Sequence, residues 1–266
     1  MKIEYEGQDV YLYSGGEPHK PGLDTVLFIH GAAMDHTVWT LFSRYWAKAG
    51  YNVAAIDLSG HGLSGGQVLS GIEQNAEFIC GLMEQLELTH SIYVVGHSMG
   101  SLIALECAVR FQNIRRLVML GTAVPMGVGD ALLDAARDND HSSIDMISLL
   151  GHSFGSQLGS NPIAGISAQF TAERLLESAS DGVLYTDLKA CREYETGLHT
   201  AEQIQCPVGL ILGELDQMTP TRGVNGLLQS LKTVREIRIP DCGHMMMSEK
   251  PEATHKALHE CLKSPL

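Results

Sequence analysis

Gly96-His97-Ser98-Met99-Gly100 is the segment of this chain best suited to covalent chemistry. A serine with glycine two positions to either side suits a sharp turn that leaves the hydroxyl clear while strand and helix approach closely. The apolar run Ile92 to Val95 precedes it and the helix-like run Leu102 to Val109 follows, so strand, turn and helix come in the required order. A helix beginning there presents N–H groups to a developing anion. The same pattern recurs at Gly151-His152-Ser153-Phe154-Gly155, but Ser156 through Pro162 contains Gly159 and Pro162 and has no helical period. Ser98 is therefore the expected nucleophile, and Ser153 a loop residue near a pocket mouth.

A serine hydroxyl becomes a nucleophile when a base takes its proton and an acid orients that base. The apolar run Val208 to Leu212 leads into Gly213-Glu214-Leu215-Asp216-Gln217-Met218-Thr219-Pro220, just past the carboxyl end of a strand, where α/β sheets gather active groups. Glu214 and Asp216 both qualify, and the spacing to Thr219-Pro220 favours Asp216. Of 12 histidines, His244 is the expected base, because it lies in Pro240-Asp241-Cys242-Gly243-His244-Met245 between a last strand and a last helix. An oxyanion needs two main-chain donors. Met99 supplies one, and Ala32 in His30-Gly31-Ala32-Ala33 is expected to supply the other, with Ala33 as its alternative.

These residues need a scaffold of alternating strands and helices. Apolar runs recur at Val26 to Ile29, Val53 to Ile56, Ile92 to Val95, Leu117 to Leu120 and Val208 to Leu212, with a further strand at Val234 to Ile239. Ile72, Ala76, Ile79, Met83 and Leu86 fall on one helical face. Ala253, Ala257, Leu258 and Cys261 suggest another such face in a last helix. The alternation predicts an α/β, mostly parallel sheet. It breaks between about Val124 and Thr200, where short helix-like pieces such as Ala131 to Arg137 and Ala172 to Ser178 suggest an insertion seated on the sheet. The expected division is a core of residues 1–123 and 200–266 with 124–199 as a cap.

Composition narrows the partners. Lys plus Arg number 18 and Asp plus Glu 31, a net charge of −13, and no basic stripe exists to track phosphates, which argues against nucleic acid. With 44% hydrophobic residues the chain is too apolar for disorder. It lacks an apolar run of the roughly 20 residues that span a bilayer, so no membrane partner is expected. Met1 through Gln8 lacks the apolar stretch of a secretory signal, giving an expected cytoplasmic location. The cysteines, Cys80, Cys107, Cys191, Cys206, Cys242 and Cys261, lack the paired spacing of a zinc or redox site and read as buried residues or free thiols.

With His30-Gly31, Asp57-Leu58-Ser59-Gly60-His61-Gly62-Leu63-Ser64, the Ser98 turn, Asp216 and His244 in order, the chain resembles the α/β-hydrolase superfamily from about Thr25 to Leu262. The resemblance implies an eight-stranded, mostly parallel sheet with helices on both faces, a helical cap after the sixth strand, and catalysis without metal or organic cofactor. It is similar to small capped serine hydrolases, including carboxylesterases, lactonases, perhydrolases and carbon–carbon bond hydrolases. Ser59 stands where many relatives have Pro, and Ser101 where many have Gly. Relatives that use Asp as nucleophile are excluded by Ser98, and the Gly-Gly-Pro-Gly of proline-specific peptidases is absent from Gly31-Ala32-Ala33-Met34. The implied activity is hydrolysis of small to medium carboxylic esters through an acyl-enzyme, the partner being a small-molecule acyl substrate. A lactonase, a carbon–carbon bond hydrolase, an amidase or a slowly hydrolysing receptor are the alternatives on the same triad. His30, Met126, Phe154, Met218 and Met245 are the expected substrate-binding residues, with Leu149 and Leu150 as further lining of the cap.

Overall fold

Apolar side chains that alternate between two covered faces make the central strands. In the computed structural model, which describes residues 1–88, 90–162 and 165–264, the strands are β1 (Lys2–Tyr5), β2 (Gln8–Tyr13), β3 (Thr25–Ile29), β4 (Asn52–Ile56), β5 (Ile92–His97), β6 (Ile114–Leu120), β7 (Val208–Gly213) and β8 (Val234–Ile239). They form one sheet in the order β1-β2-β4-β3-β5-β6-β7-β8. The β1–β2 and β2–β4 pairs are antiparallel and the others parallel. Leu27 and Ile29 of β3, Val94 of β5, Leu117 and Met119 of β6 and Leu210 of β7 belong to one core cluster. Val26, Phe28, Val95, Val118, Leu120 and Ile211 belong to the cluster on the opposite face, as the two-residue period of a strand requires.

The helices are α1 (Thr40–Lys48), α2 (Ile72–Gln85), α3 (Met99–Arg110), α4 (Asp130–Arg137), α5 (Ser142–Gly151), α6 (Phe154–Gln157), α7 (Ala168–Glu177), α8 (Val183–Glu193), α9 (Gly197–Gln203), α10 (Asn225–Ser230), α11 (Met246–Glu249) and α12 (Pro251–Lys263). Side chains of α2, α3, α9 and α10 fill the first face. Those of α1 and α12, with Trp39, fill the second. The α2 face forms as its spacing predicts, with Ile72, Ala76, Ile79 and Met83 all buried. On α12 the buried face is Thr254, Ala257, Leu258, Cys261 and Leu262, and Ala253 is exposed. Five helical steps place Ala253 about 140° round the axis from Leu258.

The two strands missing from the apolar runs are β1 and β2. Exposed Lys2, Glu4 and Asp9 alternate there with half-buried or buried Ile3, Tyr5, Val10 and Leu12, the pattern of an edge hairpin with one wet side.

Between β6 and β7 lie α4 to α9. A third cluster joins Leu132 and Leu133 of α4, Ile147 of α5, Leu176 of α7 and Leu188 of α8 to Ala33, Met34 and Met245. Ala190, Cys191 and Tyr194 turn back into the first-face cluster, so α8 joins the first and third clusters. All six cysteines are free, and all but Cys206 are buried. Among the described residues no helix is long and apolar enough to cross a membrane.

Candidate active site

The turn from β5 into α3 holds Ser98 at φ 53° and ψ −122°, a conformation that costs a non-glycine residue roughly 1–3 kcal/mol. Its surroundings require glycines. A Cβ on Gly96 would stand 2.0 Å from the Gly100 carbonyl oxygen, and one on Gly100 would stand 2.4 Å from the oxygens of Ile29 and His30. The Ser98 N–H donates to the Leu120 oxygen at 2.9 Å. Ser101, the position at which many relatives have glycine, donates its hydroxyl to the Ser98 carbonyl at 2.6 Å and meets the Thr122 hydroxyl at 2.7 Å. The serine thus ties the turn to the chain after β6.

Asp216 and His244, which are far apart in sequence, meet beyond the ends of β7 and β8. His244 Nδ1 lies 2.8 Å from Asp216 Oδ2. A carboxylate only accepts, so Nδ1 carries a proton, and in the neutral ring Nε2 holds the lone pair. Met218 N and Thr219 N donate to Asp216 Oδ1 at 2.8 Å, and the Thr219 hydroxyl donates to Oδ2 at 2.7 Å. Burial pushes the Asp216 pKa up, but the adjoining His244 and the Thr219 donors outweigh it and hold the carboxyl below its ordinary value. Glu214 is exposed and makes none of these contacts. Among the described residues no hydrogen bond joins the Ser98 hydroxyl to His244.

The His244 loop is clamped from two sides. His97 Nε2 lies 3.0 Å from the His244 carbonyl oxygen, and the N–H groups of His244 and Met245 both donate to Gly151 O, at 2.9 and 3.1 Å. The Glu249 carboxylate accepts from Gly243 N at 3.0 Å, Ser153 N at 2.9 Å and the Ser156 hydroxyl at 2.9 Å. Ser153 also caps α6, its hydroxyl accepting from Ser156 N. The second Gly-x-Ser-x-Gly segment is therefore the seat of the His244 loop. The pattern alone could not reveal this, because the partner, Glu249, lies far along the chain.

In the loop after β3, Ala32 sits where the first and third clusters meet. The amide of Ala33, the alternative candidate, is engaged by Asp187 Oδ2 at 2.8 Å. Met99 opens α3 directly after Ser98.

The five residues expected to line a substrate pocket fall in different places. Phe154 is 70% exposed and Leu149 56% exposed, because both lie on the outer side of short surface helices. His30 is fully buried with both nitrogens used. Its Nδ1 faces Gly31 O at 2.8 Å, and its Nε2 accepts from Leu58 N at 3.1 Å. Met126 is packed into the first-face core. Met218 and Met245 belong to the third cluster. Met245 also lines an apolar cavity of about 240 Å³, with Val38, Leu41, Phe42, Leu175 and Met247 among its other walls; the cavity escaped the sequence reading because its walls come from distant segments.

Asp35, His36 and Asp57 bring three metal-ligating atoms within 4.8 Å of one another. These atoms serve the loop instead. Asp57 Oδ1 accepts from His36 N at 2.6 Å, and Oδ1 and Oδ2 both face His36 Nδ1, at 2.8 and 3.0 Å. Asp35 caps the short 3₁₀ turn His36–Trp39.

Comparison with known proteins agrees with this architecture. Over 242 residues the chain is 26% identical to a pimeloyl-[acyl-carrier protein] methyl ester esterase of Nitrosomonas europaea, covering 87% of this chain and 92% of that protein. Over 123 residues it is 37% identical to the dihydrolipoyllysine-residue acetyltransferase component of an acetoin cleaving system of Cupriavidus necator, a match spanning 46% of this chain and only 30% of that relative's length. The enol-lactonase from Burkholderia xenovorans LB400 superimposes with a TM-score of 0.86 at 20% identity, covering 99% of this chain and 100% of that one. The model of the alpha/beta hydrolase family matches residues 26–257. With the parallel sheet, the serine turn and the buried Asp216–His244 pair in place, the chain belongs to the alpha/beta hydrolase family.

Proposed function

We propose that this protein is a serine hydrolase that cleaves carboxylic esters of small to medium size through Ser98, His244 and Asp216. The observation that carries the reading is the buried Asp216–His244 hydrogen bond of 2.8 Å, which fixes the tautomer whose free Nε2 can take a proton. In the proposed reaction Ser98 Oγ attacks the ester carbonyl carbon as His244 Nε2 takes the hydroxyl proton. The Ala32 and Met99 N–H groups stabilise the oxyanion. Collapse of the tetrahedral intermediate breaks the bond to the alcohol, which leaves with the proton from His244. Water then attacks the acyl-enzyme, giving one proton to His244. The carboxylic acid departs, and Ser98 regains its proton. General-base hydrogen bonds are often long before substrate arrives, so this role does not require a Ser98–His244 hydrogen bond in the free protein.

One further feature supports an ester substrate. The relative from Nitrosomonas europaea that matches along most of its length is named a pimeloyl-[acyl-carrier protein] methyl ester esterase. Hydrolysis of p-nitrophenyl esters from acetate to palmitate, with Ser98→Ala and His244→Ala beside the wild type, tests the reading. The expected result is turnover of the short esters and loss of it in both variants. Folded wild type that turns over none of the esters overturns the ester reading and directs the search to lactones, carbon–carbon substrates, amides or a receptor role.

A further inference from the structure

Asp187 lies on α8, in the inserted stretch, yet its carboxylate reaches the loop after β3. Oδ2 accepts the Ala33 N–H at 2.8 Å, and Ala33 is held at φ 52°, the left-handed region that a residue with a side chain enters at a cost. The same oxygen faces His61 Nε2 at 2.8 Å, and His61 Nδ1 faces the Ser59 carbonyl at 3.0 Å. A ring between two pure acceptors carries a proton on each nitrogen, so His61 is an imidazolium and the contact is an ion pair. Both side chains are sealed, at 2% and 1% exposure. Among the described residues the other oxygen, Oδ1, has no partner, so the hydrogen bonding of this carboxylate is spent on Ala33 and His61 alone.

We propose that Asp187 is a positioning residue for ester hydrolysis: held by His61, it grips the strained Ala33 peptide and so aims the adjoining Ala32 N–H at the oxyanion. The inference rests on the reading of the protein as a Ser98 esterase. It assigns to the inserted helices a part in building the reaction site as well as covering it. Its physical basis is that an oxyanion donor is effective only when pre-aimed, and that a buried amide stripped of its acceptor relaxes toward any other partner within reach.

The test measures kcat and KM for p-nitrophenyl butyrate, per serine titrated with an organophosphonate, in wild type, Asp187→Ala, Asp187→Asn and Ser98→Ala. An asparagine oxygen still accepts from Ala33, so it serves as the conservative variant and keeps the test open if the alanine protein does not fold. The expected result is a fall in kcat per titrated serine of roughly tenfold or more in Asp187→Ala with KM nearly unchanged, and recovery of much of that loss in Asp187→Asn. If Asp187→Asn alone is folded, kcat within a few-fold of wild type with KM unchanged is expected, and a shift in KM alone overturns the proposal. Wild-type kcat per titrated serine in Asp187→Ala overturns it while leaving the esterase reading intact. A wild type without Ser98-dependent turnover overturns both.

Discussion

The His97 ring donates from Nε2 to the main-chain oxygen of His244 at 3.0 Å, and the two imidazoles lie 4.7 Å apart, centroid to centroid. The residue preceding the serine thus holds the residue proposed as the base of that same serine. His97 is fully buried, and burial together with the neighbouring His244 pushes its pKa down to about 3. Well above that value it is a neutral donor. His97→Ala is expected to lower kcat per titrated serine by roughly tenfold, the effect of one lost buried hydrogen bond on a positioned base. Unchanged kcat would show that the loop holds His244 without it.

Asp216→Asn keeps the shape of the site but allows the wrong His244 tautomer. Turnover is expected to drop by roughly 10³–10⁴-fold, by comparison with the same change in a serine protease triad, with little change in KM. Glu214→Gln alters an exposed side chain and is expected to leave kcat within about twofold, as surface substitutions usually do. Steady-state kinetics on one short ester distinguishes the two acids.

The two Gly-x-Ser-x-Gly segments are separated by what their serines do. Ser153→Ala removes the cap of α6 and is expected to cost about 1 kcal/mol of stability, read as a lowered thermal midpoint, while ester turnover persists. Glu249→Gln keeps one acceptor oxygen and sets an amide NH₂ against either Gly243 N or the pair Ser153 N and Ser156 hydroxyl. It is expected to cost about 1–3 kcal/mol and to lower kcat through the His244 loop. If Ser153→Ala abolishes turnover in folded protein, the assignment of the nucleophile to Ser98 is wrong.

Acid sensitivity follows from the buried imidazoles. Burial, with His61 nearby, lowers His30 to about 4, and burial, with His244 nearby, lowers His97 to about 3. In the unfolded chain both take up protons near pH 6.5. Below that pH the unfolded state binds more protons than the folded one, so stability falls as pH drops from 6.5 towards 4, by about 1.4 kcal/mol per pH unit for each ring. His61 behaves oppositely. Burial disfavours its charge, but Asp187 outweighs burial and raises its pKa, so the stability it adds is complete below 6.5 and is lost as pH rises through the raised value. Urea midpoints from pH 4.5 to 9 should therefore decline at both ends, and Asp187→Asn should remove most of the alkaline decline. A flat profile between pH 4.5 and 6.5 would contradict the neutral burial of His30 and His97.

Much of the architecture was legible in the chain because it rests on local pattern. Two-residue alternation between wholly apolar faces marks β3, β5, β6 and β7, and steps of three and four mark α2. The glycines around Ser98 are required by backbone contacts that the motif itself implies. The Thr219-Pro220 spacing pointed to Asp216 over Glu214, and Thr219 proves to be a hydrogen-bond donor to Asp216. Only the tertiary structure decided the rest. Lys2–Tyr5 and Gln8–Tyr13 carry too little apolar signal to be read as strands, since an edge hairpin buries one side alone. The clamps on the site, Asp187 on Ala33, Glu249 on Ser153, and Gly151 on His244, join residues from distant parts of the chain. Hydrogen-bond partners at such separations leave no period or spacing in a sequence, because what selects them is the meeting of the inserted helices with the ends of the sheet.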